Sequence, residues 1–129
     1  MDTGSLAIVL MLVVVMCLMG GSLIVDGGRA LAAHRHAANT ASGAARHAVS
    51  SQSLLGSIDN TTIRERVVSY TTRAGVSSTD VEVNVRRDAD GLAVIVGITE
   101  RTSTVFLSLG GASTLTVHAT AVARFLYSI

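Results

Sequence analysis

The chain is 129 residues long, about one domain, and its formal net charge is +1, from ten basic and nine acidic residues. That balance and an aromatic content of 3% exclude a polyelectrolyte partner such as nucleic acid, which calls for basic patches and stacking platforms. A mean hydropathy of +0.52 is higher than a small domain in water needs, so part of the molecule faces something else.

The excess sits in residues 6–25, LAIVLMLVVVMCLMGGSLIV, a run of 20 residues with no charge. As a helix it spans about 30 Å, the thickness of a bilayer's hydrocarbon core. It predicts one transmembrane helix in contact with membrane lipid, preceded by a short leader over residues 1–5. A cleaved secretory signal is the rival, because Ala30-Leu31-Ala32 offers a small-residue cleavage site. Against it, the run exceeds the ~7–15 residues of a signal's apolar core, and Asp2 stands where a basic segment belongs. Cys17, the single cysteine, lies mid-run and builds no disulfide framework.

Residues 26–55 have no proline and are dense in alanine, so the helix is expected to continue into water as a rod, making residues 6–55 about 75 Å long. Gly27 and Gly28 are its weak point, where a kink is expected. Beyond them Ala30, Ala33, Ala37, Ala41, Ala44 and Ala48 recur every three or four residues, a stripe that lets a backbone or sheet approach closely.

Residues 56–129 read as a small α+β domain. Gly56 is a helix stop, after which Thr62 and Glu65 have capping-box spacing ahead of Val67, Tyr70 and Ala74, with Gly75 as the next stop. Residues 80–87, DVEVNVRR, alternate strictly, and residues 92–99 form a second strand across Asp88-Ala89-Asp90-Gly91, a hairpin. Val105, Phe106 and Leu109 have helical spacing before Gly110 and Gly111, so residues 102–109 are expected to form a short helix or covering turn. Residues 115–124 alternate again, with Leu115, Val117, Ala119, Ala121 and Ala123 on one face. The fold class is therefore α+β: a long amino-terminal helix packed on a small, mostly antiparallel three-stranded sheet, each burying what the other cannot bury alone.

Catalytic chemistry is not evident. His34 and His36 are two apart, pointing to opposite sides of a helix, and neither they nor His47 have an acidic or cysteine partner at ligand spacing, so solvated helical histidines are expected and no metal. Asp88, Asp90 and Gly91 resemble part of a calcium loop, but Leu92, Ala93 and Val94 fill the next positions and a hairpin turn accounts for them. Asn60-Thr61-Thr62 matches a glycosylation acceptor that the start of a helix equally explains. No nucleophile elbow, phosphate loop or dinucleotide fingerprint occurs, so neither cofactor nor enzyme activity is expected. Asp26 marks the membrane exit. Two roles fit it: an interfacial acid paired with Arg29 three residues on, or an acid that neutralises a cation on a neighbouring subunit.

The segment DTGSLAIVLMLVVVMCLMG, the exit LIVDGGRALAAHRHAANTASGAARHA, and TVFLSLGGASTLTVHATAVAR near the end together resemble the TadE/TadG-like minor pilins and pilus-assembly proteins of actinobacterial tight-adherence (Flp) loci. The resemblance implies a pilin-like fold and a non-catalytic, single-pass pseudopilin. Its partners would be other pilin-like subunits, copies of itself and assembly-platform proteins. It also implies that the carboxyl-terminal domain lies outside the cytoplasm, in or near a surface pilus. The positive-inside rule points the other way, since Arg29, Arg35 and Arg46 all follow the run. Family precursors are cut after a glycine with a glutamate five residues on. Neither candidate site here is complete: Gly4, followed by Ser5, has Val9 at the glutamate position and no basic leader, and Gly21 has Asp26 at that spacing, but Gly27, Gly28 and Arg29 follow the acid where an apolar helix belongs, so cleavage after Gly4 and no cleavage both stay open. The other class of function weighed is a monomeric binding module for a cell-wall component or protein ligand.

Overall fold

The computed structural model describes residues 3–50 and 59–126. The element order is α1 (Thr3–Ser50), α2 (Asn60–Arg73), β1 (Val81–Asp88), β2 (Gly91–Ser103) and β3 (Thr114–Leu126), with 3-10 turns at Ser78–Asp80 and Leu107–Gly110.

Helix α1 contains 48 residues and so is about 72 Å long. It is long and apolar enough to cross a membrane. It passes through Gly27 and Gly28 without a break, and the space around both glycines is open. The expected extension to Leu55 and the stop at Gly56 lie outside the described residues. From residue 4 to residue 25 nearly every side chain is exposed, whereas from Ala33 onward one face is buried. A single helix is thus bare along its amino-terminal part and packed along the rest.

The sheet has the order β1-β2-β3 and is antiparallel throughout. Strict alternation sets the register of β1 and β2, and Asp88 pairs with Gly91 across a two-residue turn, as the sequence predicts. Gly91 is needed for closeness: a Cβ there would run into the carbonyl oxygen of Phe125, whose carbon lies 3.1 Å from that position. Gly91→Ala should therefore part β2 from β3 at this end, destabilising the domain by about 1 kcal/mol or more, as read by chemical denaturation. The strand residues Leu92, Val94, Val96 and Ile98 are buried beneath α1 together with Ala119 of β3. Leu115, Val117, Ala121 and Ala123 share that face and are half-buried. Both long strands extend beyond their predicted ends, because pairing carries on to Ser103 opposite Thr114 and to Gly91 opposite Leu126.

Helix α2 packs against α1 and reaches β1. It starts one turn earlier than the Thr62 and Glu65 spacing suggests, with Asp59 in extended backbone at its N-cap. The earlier start places Ile63, Val67 and Thr71 on one buried face, four residues apart. Its end is as predicted: Gly75 has φ +87°, its N–H donates to the Thr72 carbonyl (3.0 Å), and that of Val76 donates to the Thr71 carbonyl (3.0 Å). This is a Schellman closure, and Val76 is buried behind it.

The expectation for residues 102–109 needs correction. Thr102 and Ser103 finish β2, the helical part is only the Leu107–Gly110 turn, which touches α1, and the Val105, Phe106 and Leu109 side chains are exposed. Helical spacing alone could not reveal that these side chains point away from the core.

Candidate functional site at the end of the apolar run

The loop after β2 is tied at its base by Thr104, whose N–H donates to the Ser113 carbonyl (3.1 Å) and whose hydroxyl donates to the Ala112 carbonyl. Beyond Ser103 the ladder to β3 has ended, so the next amides need other acceptors. Asp26 supplies them. Its Oδ1 accepts from the Val105 N–H at 2.9 Å, and its Oδ2 accepts from Phe106 at 3.0 Å and Leu107 at 2.8 Å.

The carboxylate is 1% exposed, yet it satisfies three backbone donors in a part-buried setting. The Val105 amide first, then that of Leu107, hold it below the ordinary carboxylate value. Burial pushes the other way, and the Phe106 amide and the Arg29 charge add smaller lowering effects.

Among the described residues no ion pair joins Asp26 to Arg29, which is exposed. Asp26 is instead a clasp between the first residue past the apolar run and a loop some 80 positions later in the chain. Sequence reasoning did not find this contact. The available signal was the strand end followed by TVFL, a place where consecutive amides lose their ladder partners.

The remaining predicted residues are placed as follows. Gly4 and Ser5 lie exposed in the first turns of α1. Ala33, Ala37, Ala41, Ala44 and Ala48 are buried against the sheet domain, and Ala30 is half-buried at the edge of the contact. Ala45, at 1% exposure, also belongs to this face, and Gly43, to one side of it, meets α2; neither was in the predicted stripe. Gly43 lies so close to Tyr70 that a Cβ would strike the tyrosine hydroxyl, with the ring carbon behind it 2.9 Å away. A simple repeat of three and four misses a face this wide.

The helical histidines His34, His36 and His47 are all exposed, and the last of them has its ring centroid 5.6 Å from that of Tyr70. His36 Nδ1 lies 3.1 Å from Glu100 Oε2, and His118 Nδ1 lies 3.0 Å from the Thr99 hydroxyl. Among the described residues no three His, Cys, Asp or Glu side chains cluster as metal ligands.

Residues 4–51 match the model of a family described as Putative Flp pilus-assembly TadE/G-like. The match covers α1 and stops before α2 and the sheet, so TVFLSLGG and LTVHATAVA, quoted above for the resemblance, fall outside it. No curated protein and no solved structure matches the chain.

Proposed function

We propose that this chain, whose long helix is a TadE/G-like Flp pilus-assembly segment, is a non-catalytic, membrane-anchored pilin-like subunit. In this reading residues 6–25 span the membrane and pack against other subunits, while α2 and the sheet form an extracytoplasmic head. The observation that carries it is the change of surroundings along α1. Its amino-terminal part is bare apolar surface on all sides, and its remainder is the wall of a folded core.

Bare apolar surface suits lipid and neighbouring helices alike. Gly20, Gly21, Gly27 and Gly28 leave open backbone where another helix can approach closely. Processing between Gly4 and Ser5 would leave the Asp26 clasp and the head untouched, and amino-terminal sequencing of the membrane-extracted protein would then begin at Ser5. The arginines after the span favour the opposite orientation by the positive-inside rule, and protease protection of the head in intact cells tests that directly.

The assembly reading is tested by photo-cross-linking from Leu10, Val15 and Met16, positions about a third of a turn apart around the span, in native membranes. A ladder of oligomers or adducts with other pilus subunits is expected. A chain that stays monomeric from all three positions excludes this reading and leaves the monomeric binding module.

A further inference from the structure

We infer that the loop from Thr104 to Gly111 is a second membrane contact, a foot whose Val105, Phe106 and Leu109 side chains rest in the interfacial layer of the same bilayer. The inference rests on residues 6–25 being the span.

Position comes first. Asp26 is the first residue after the uncharged run, and its carboxylate lies within 2.8–3.0 Å of three amides of the loop. Helical side chains lean toward the amino end, so this clasp lies over the last turn of the run, toward the bilayer. Ser22, four residues back on the same face, is the one residue of 4–25 that is partly covered.

Surface chemistry agrees. Val105 is 45% exposed, Phe106 41% and Leu109 87%. Beyond the span, the other large apolar side chains exposed among the described residues are Leu31, Val122 and Leu126, so half of this surface is gathered in one loop. From Thr102 to Val117 the sequence has no charged residue.

The loop's backbone is prepared for poor solvation. Leu109 N–H donates to the Phe106 carbonyl (3.0 Å), Gly111 to Ser108 (3.1 Å) and Ala112 to Leu107 (3.0 Å), and the Ser108 hydroxyl donates to the Val105 carbonyl (2.7 Å). Together with the Asp26 clasp, these bonds remove the main cost of placing an irregular segment at a membrane surface, where unpaired amides are penalised. The occupant is lipid, because the apolar surface is continuous with the span and held level with its end. Arg29, exposed one turn beyond Asp26, stands where anionic headgroups lie.

The chain contains no tryptophan, so one introduced indole reports its own surroundings. The full chain is reconstituted in phosphatidylcholine–phosphatidylglycerol vesicles carrying lipids brominated either near the headgroup or deep in the tails. Phe106→Trp and Leu109→Trp should lose most of their emission to shallow bromines and resist aqueous acrylamide, while Thr120→Trp on the outer sheet face should show the reverse. Leu12→Trp should be quenched by deep bromines. If Leu12→Trp is quenched by acrylamide, the span reading fails and the foot with it. If Leu12→Trp behaves as expected but the loop variants are quenched by acrylamide, the foot alone is overturned. Loop variants shielded from both quenchers would mean that a second protein chain covers the loop, which also overturns the lipid contact.

Discussion

Leucine in place of Ala44 should destabilise the head by about 1–3 kcal/mol, and Ala37→Leu should do the same. Both alanines are fully buried where α1 lies on the sheet, facing a core that includes Val94, Val96 and Ile98. Close packing leaves no room for three added carbons, so either α1 lifts from the sheet or the new side chain is forced from its rotamer. The measurement is denaturant unfolding in detergent micelles, with β-sheet circular dichroism as the signal. Ala32→Leu, on the exposed side of the same helix stretch, is the control and should change little. Wild-type stability in Ala44→Leu and Ala37→Leu would mean that the helix does not bear on the sheet at these positions.

Asp26→Ala should free the loop that the carboxylate holds. It leaves the amides of Val105, Phe106 and Leu107 without their acceptor, and their hydrogen-exchange protection should fall tenfold or more, while the α1–sheet core keeps its own. Acid has the same effect on the wild type. The folded carboxyl is held below its ordinary value, so its contribution is fully present above the unfolded-chain value of about 4 and is lost as pH falls through the depressed folded value. Protection at these three amides, corrected for intrinsic exchange at each pH, should therefore collapse only in strong acid. Asp26→Asn should lack that step and be less protected already at neutral pH. A pH-independent wild type would show that the carboxylate is not the acceptor.

The long apolar helix, the hairpin and the buried alanines were legible in the sequence because each is a local pattern with one dominant cause. Uncharged length marks the first, alternation on either side of Asp88-Ala89-Asp90-Gly91 marks the second, and small residues every three or four positions mark the third. The Asp26 clasp was not legible, since a carboxylate bonded to distant main-chain amides leaves no pattern in either segment. Val105, Phe106 and Leu109 misled for a related reason. Spacing says which side chains share a direction, but only tertiary placement says what lies in that direction. The start of α2 moved because burying Ile63 outweighs an ideal cap three residues later.

That α1 is at once the apolar run and the wall of the core has a mechanical consequence. A force drawing the subunit along the axis of its helix does not reach the head through a flexible tether. It arrives as shear across the contact between the alanine face and β2, distributed over several turns at once. The Asp26 clasp, nearest the pulled end, bears that load first, and with the buried core behind it the sheet domain travels with its helix as one stiff piece.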